Sequence, residues 1–223
     1  GFLNPIQALH RLIQQGRANG VRYVTQCPVK DVENQPTGIH ISTPDNSITA
    51  DAVIFAAGAW SPKVLPWLHD KVMPVREQVQ FGSTQTHTTA SSMRAQSGYI
   101  QWSQNTQGWA ISGARWASPH LEVGEQDDTV VHPKIQQALR TFRENIFDQR
   151  TAYTHAHAYL WAKTCDGLPI IGPLPGQSPW VCCTGFMGND WGIGLRAGQA
   201  VANGLIQGVA SGIPEWMTPA RFV

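Results

Sequence analysis

Charge is scarce in this sequence. Asp, Glu, Lys and Arg make up 14% of its 223 residues, and 16 basic residues nearly cancel 15 acidic ones, leaving a net charge of +1. The basic residues are scattered and form no run. That distribution excludes the electrostatic footprint of a nucleic-acid binder, and of a protein drawn to an anionic membrane surface. Long apolar runs are also missing: the longest, Val53 to Trp60, is strand-sized and far short of a bilayer span. Cysteine is sparse, at positions 27, 165, 182 and 183, with no CxxC. Cys182 and Cys183 are neighbours in a predicted strand, so their side chains leave opposite faces and are poor partners for each other. All four are read as reduced thiols of a cytoplasmic protein. An initiator Met is lacking too, and the opening residues 1–5 look like neither a signal peptide nor a transit peptide.

What is present suits a globular chain. Hydrophobic residues make up 42% of it, enough for one large domain or two small ones with a sizeable core. Residues 5–19 read as an amphipathic helix: Asn4 can cap it, Pro5 suits its first turn, and Gly20 ends it. Ile6, Leu9, Leu12 and Ile13 form its apolar stripe. Strands are predicted at about 21–26, 28–33, 38–43 and 52–57, with turns at Gly38 and at Pro44-Asp45-Asn46-Ser47. Residues 74–116 alternate, with turn signals at Gly82, Gly98 and Asn105–Gly108, and predict an antiparallel sheet of three or four strands. Helical spacing returns over 132–147 through Ile135, Leu139, Phe142 and Ile146. Residues 152–162 then alternate with period two, placing Tyr153, His155, His157, Tyr159 and Trp161 on one face. The end reads as a strand (Trp180 to Thr184), a glycine-rich loop (Gly185 to Gly194) and a small-residue helix (Leu195 to Gln207) stopped by Gly208. The expected architecture is α/β (α+β): residues 1–73 and 163–223 form one unit, and a mainly antiparallel sheet, 74–162, is inserted into it.

Three motifs carry chemical weight. The strand of Asp51-Ala52-Val53-Ile54-Phe55 ends in Ala56-Ala57-Gly58-Ala59-Trp60-Ser61, whose small side chains let a bulky planar ligand approach the backbone. An ordinary strand–turn–helix accounts for that motif equally well. Asp166-Gly167-Leu168-Pro169-Ile170-Ile171-Gly172-Pro173 brackets an apolar pair with turn residues. Thr184-Gly185-Phe186-Met187-Gly188-Asn189-Asp190-Trp191-Gly192-Ile193-Gly194 opens a helix whose free N–H groups suit electron-rich oxygens. Gly192 to Ala197 spells GxGxxA, but no second strand follows to make a βαβ dinucleotide unit.

Taken in this order, the motifs resemble the FAD-dependent D-amino-acid oxidase superfamily, which includes glycine oxidase, sarcosine oxidase and D-amino-acid dehydrogenase. The likeness covers nearly the whole chain but begins partway through the family pattern. The opening GxGxxG segment is not among these residues. The resemblance therefore implies a fragment: a remnant of an FAD-binding α/β domain carrying an antiparallel substrate domain. A preceding segment or a partner subunit is expected to bring the ADP-binding half, and these 223 residues alone are expected to hold FAD weakly. The implied activity is oxidation of a C–N bond in an amine or amino acid. Hydride passes to flavin N5 and the imine hydrolyses. The alternatives are a cofactor-free binding module and one subunit of a split flavin oxidoreductase.

Carried onto this sequence, the resemblance assigns Val29 to the adenine side of FAD, and Ala57, Gly58 and Trp60 to the strand end beside the cofactor. Gly188, Asn189, Asp190, Trp191 and Gly192 are assigned to the pyrimidine edge of the ring, where N–H donors stabilise negative charge. Three departures stand out. Asp190 and Glu77 occupy positions where the family has glycine, and the stretch Trp161-Ala162-Lys163-Thr164-Cys165 lacks the Arg that grips a substrate carboxylate. Arg115 and Lys163 are substitutes outside the motif. The aromatic face of 153–161, with Tyr99 and Trp102, is either a pocket wall or a sheet face packed on helix 132–147. His155 and His157 have no third ligand in register, so no metal site is expected.

Overall fold

Asn4 and Pro5 start the first helix as the sequence predicts. In the computed structural model, which describes residues 3–83, 91–95, 99–105, 108–146, 152–177, 179–207 and 212–223, the Asn4 side chain accepts from the Gln7 amide at 3.1 Å. Helix α1 runs Pro5–Ala18, and Gly20 takes a left-handed φ of 84° just after it. Its apolar stripe is exposed: Ile6 is 67% and Leu9 50% accessible. The predicted strand at 21–26 does not form. Those residues run as exposed coil, with Tyr23 folded back against α1.

A three-stranded antiparallel meander follows, made of β1 (Asp31–Gln35), β2 (Gly38–Ser42) and β3 (Ser47–Ala50). Strand β1 starts later than the predicted 28–33. Strand β3 was hidden in the sequence because its first residue, Ser47, belongs to the turn cluster before it. A second sheet holds β4 (Val53–Phe55), β10 (Ile170–Pro173) and β11 (Trp180–Thr184) in the order β10-β11-β4, with β11 parallel to β4. The Trp180 indole donates to Asn34 at 2.8 Å and its ring packs on Phe55, which joins the meander to this sheet. A short helix, α2 (Ser61–Val64), leads from β4 toward the third sheet.

The third sheet has five antiparallel strands in the order β6-β7-β8-β5-β9. They are β5 (Val72–Ser83), β6 (Ser91–Ala95), β7 (Ile100–Asn105), β8 (Gly108–Gly113) and β9 (Ala152–Thr164). Gly82 is not a turn. It lies inside β5 at a register shift, where a Cβ would come within 2.2 Å of the Trp109 ring, so the turn-former is there for close packing. Gly98, residues 106–107, residue 147 and Gly208, also used as punctuation in the sequence reading, lie outside the described residues.

Helix α3 (Pro133–Ile146) covers one face of this sheet. Ile135 and Leu139 are fully buried against Ile100, Trp102, Trp109 and Ile111, each contributing on the order of 2 kcal/mol. Helix α4 (Asp190–Gln207) packs Ala197 and Val201 on Ile171 and Val181 of the second sheet. Among the described residues no helix is long and apolar enough to cross a membrane.

Candidate active site

Because β11 runs parallel to β4, both strands end at the same edge of the second sheet. That edge is where open α/β sheets bind ligands. The two strand ends are tied together by hydroxyls. Buried Ser61 donates to Thr184 Oγ1 at 3.1 Å, and Thr184 donates to the Gly58 carbonyl at 3.2 Å. Gly185 follows with φ 76°, and a Cβ there would meet Thr164 Cγ2 at 2.3 Å. Only glycine fits between β11 and β9 at this point.

The loop then covers only Gly185–Asn189, because α4 begins at Asp190 rather than at the predicted Leu195. Asn189 ends it: its carbonyl accepts from the Gly192 and Ile193 amides at 2.9 and 3.1 Å. Asp190 in the first turn complements the helix dipole. Glycine on this helix, whether read as loop (Gly194) or as helix (Gly198), has another use. Gly194 and Gly198, one turn apart on α4, both line a cleft, and a Cβ at either would meet nothing within 4 Å.

That cleft has a volume of about 820 Å³ and separates the β4/β11 edge and α4 from the third sheet. Its far wall is built by strand register. Glu77 of β5 lies opposite Tyr159 of β9, and Trp161 is two residues further along β9 on the same face. Tyr99 and Arg115 join them from the ends of β7 and β8. Arg115 Nε sits 3.2 Å from Glu77, its Nη1 donates to the Leu121 carbonyl, and its guanidinium lies 5.3 Å from the Trp161 ring centre. Burial pushes the Glu77 carboxyl up to about 6, against the restraint of Arg115 and Trp161, while Glu122 adds to the rise. Burial also lifts the Tyr159 hydroxyl to about 12, with the charges of Glu77 and Asp190 adding to the shift and Arg115 opposing it.

The structure therefore brings Gly58, Trp60, Gly188, Asp190, Trp191, Tyr99 and Arg115 around one space. Ala57 sits beside it, its carbonyl accepting from the Trp60 amide. The Asn189 amide donates to the Phe186 carbonyl and the Gly192 amide to the Asn189 carbonyl, so neither amide is free for a ligand. Val29 lies half-exposed in the coil before β1, and Lys163 stands outside the cleft lining. Of the aromatic face, Tyr159 and Trp161 line the cleft. Trp102 does not: it is 3% exposed and stacks on Trp109 beneath α3. His155 and His157 stack on Phe81.

Two polar clusters escaped the sequence reading. Arg221, near the end of the chain, forks onto Asp166 at 2.7 and 3.1 Å and donates to the Leu168 and Pro169 carbonyls, clamping the Asp166-Gly167 turn. Arg76 pairs with Glu122, whose carboxylate also accepts from Gln78 and Ser118, all buried. Glu122 closes a run of three left-handed residues, His120, Leu121 and Glu122. The alternation Arg76-Gln78-Gln80 was the available signal, since it puts three polar side chains on one face of β5.

Residues 1–203 match the family model described as "FAD dependent oxidoreductase", and the chain belongs to that family. It is 24% identical to N-methyl-L-tryptophan oxidase of Escherichia coli O127:H6 over 218 residues, covering 91% of this chain and 56% of that protein. It is 24% identical to monomeric sarcosine oxidase of Bacillus sp. strain B-0618 over 211 residues, covering 89% and 53%. Solved structures share the fold. L-proline dehydrogenase from P. horikoshii superposes with a TM-score of 0.83 at 19% identity, covering 98% of this chain and 59% of that one. Glycine oxidase from Geobacillus kaustophilus gives 0.80 at 16% identity, covering 96% and 57%. The chain thus spans about half the length of the relatives it matches.

The cleft fits the ring end of the family's cofactor. Gly58, Gly188, Gly194 and Gly198 leave open space in which a planar ring can lie against backbone. The amides of Asp190 and Trp191 occupy the first helical turn, where no intrahelical acceptor exists for them.

Proposed function

We propose that this chain forms the substrate-binding and ring-facing part of an FAD-dependent enzyme that oxidises the C–N bond of an amine or amino acid. One observation carries the reading. The glycine-lined β4/β11 edge faces the Tyr159–Trp161 wall across a single cleft of about 820 Å³, large enough for a planar ring with a small molecule beside it. Residues 1–73 and 163–223 belong to the cofactor-facing unit in this reading, and residues 74–162 to the substrate unit.

The flavin, when bound, supplies a hydride acceptor. The chain positions and shields. Gly58, Trp60, Gly188 and the amides of Asp190 and Trp191 would hold the ring. Tyr99, Tyr159 and Trp161 exclude water and orient the carbon that loses hydride. Hydride leaves only from a carbon beside a neutral nitrogen, so an amine that enters as an ammonium first gives up its proton; among the described residues, Glu77 and Asp190 are the carboxylates of the cleft lining able to receive it.

The test fills the space. Gly194→Phe or Gly198→Phe, introduced into the product of the whole reading frame, adds a ring where nothing now lies within 4 Å. Loss of the visible flavin spectrum with unchanged circular dichroism is expected. Undiminished flavin in both variants contradicts the placement.

A further inference from the structure

The charges in the cleft do not suit an anionic substrate. Among the described residues, its charged lining is one cation, Arg115, and two carboxylates, Glu77 and Asp190. The cation is already engaged: its Nε pairs with Glu77, its Nη1 with the Leu121 carbonyl, and its flat face lies over Trp161. The carboxylates are not both satisfied. Glu77 Oε1 is buried and has no hydrogen-bond partner among the described residues. Asp190 is exposed on the cleft-facing stripe of α4, one turn before Gly194, and makes no ion pair among the described residues. Both carboxylates act on the Tyr159 hydroxyl from opposite walls. Around them stand the rings of Trp60, Tyr99, Tyr159, Trp161 and Trp191. Aromatic faces attract cations and give nothing to anions.

Resting on the flavin reading above, we infer that the substrate is a cationic amine without a carboxylate, its ammonium held between Glu77, Asp190 and the aromatic wall of β9. A compact carboxylated amino acid would set its anion against these two carboxylates, with no free cation among the described lining residues to receive it. In a partly desolvated cleft such a like-charge encounter opposes binding. The specificity thus comes as much from rejecting the carboxylate as from attracting the amine.

The test uses the tryptophans of the cleft as reporters. The chain is titrated with N,N-dimethylbenzylamine, with phenylacetate as an anionic probe of similar size, and with N-methylglycine, while intrinsic fluorescence is followed. The amine is expected to bind at least about tenfold more tightly than either carboxylated probe, and Glu77→Gln or Asp190→Asn to weaken it by a similar factor without changing phenylacetate. Asp190 is exposed, so its variant reports even where the Glu77 variant fails to fold. Phenylacetate or N-methylglycine binding as tightly as the amine overturns the inference, as does amine binding that ignores both substitutions or that is absent. Its failure is separable from that of the flavin reading. Flavin reduced by N-methylglycine but not by the amine sinks only the substrate class. Amine binding with the expected selectivity but no flavin reduction sinks only the oxidoreductase.

Discussion

Gly185 is the point where the cleft depends most sharply on one residue. It follows β11 with φ 76°, and a Cβ would lie 2.3 Å from Cγ2 of Thr164, a fully buried residue at the end of β9. Gly185→Ala meets two separate penalties. The left-handed backbone costs an L-residue roughly 1–2 kcal/mol. The clash requires β9 or β11 to move, which overpacking data put at about 1–3 kcal/mol. A total of about 3 kcal/mol is a large share of the stability of a domain this size. The assay is urea unfolding followed by circular dichroism, with the midpoint falling at constant slope. A double-mutant cycle separates the two terms. Thr164→Ser removes the methyl that clashes, so by itself it costs about 0.8 kcal/mol for the lost CH₂ equivalent. In the Gly185→Ala background it is expected to restore stability, leaving only the backbone penalty, with a coupling above about 1 kcal/mol. A Gly185→Ala change within 0.5 kcal/mol of the parent, or strictly additive effects (to about 0.3 kcal/mol), would refute the packing argument.

Arg221→Ala is expected to lower stability by about 1–2 kcal/mol at neutral pH, since it removes a forked bond to a carboxylate and two carbonyl contacts. Arg221 holds the Asp166 carboxyl below its ordinary 3.8, so this contribution is present above that value and fades as pH falls through the lower folded value. Thermal melts of parent and variant should therefore converge in acid. Glu77 has the opposite sign. Burial raises it from 4.5 to about 6, so the folded chain keeps a proton that the unfolded chain loses, and stability declines as pH rises between those values. Glu77→Gln should remove that decline, worth on the order of 2 kcal/mol, and equal slopes for parent and variant across the interval would contradict it.

Much of the scaffold was legible because local signals agreed with tertiary packing. Asn4-Pro5 marked α1, alternation marked β9, and the Ile135/Leu139 spacing marked a helix that buries both residues. The errors share a cause: glycine and polar turn formers look alike in sequence whether they bend the chain or make room. Gly82 makes room for Trp109 and Gly194 leaves room in the cleft, yet the first read as a turn and the second as loop. Strand β3 was lost because Ser47 joins a turn cluster and a strand at once. In the site, the converging loops could be read from their motifs. The Arg221–Asp166 clamp spans 55 residues and could not, because no local pattern encodes a contact at that distance. Trp102 was left between pocket wall and helix-packed face because period two assigns a face but does not say which face α3 covers.

The most direct test of the flavin reading is an anaerobic mixing experiment on the product of the whole reading frame. The purified protein is expected to show flavin bands in visible light and to lose them when a secondary or tertiary amine is added without oxygen. Tyr159→Ala, which opens the wall opposite the glycine-lined edge, should slow that bleaching by at least about tenfold while leaving the bands of the resting protein in place. A protein that carries no flavin, or flavin that stays oxidised with every amine and amino acid offered, would contradict the proposal that this cleft oxidises a C–N bond.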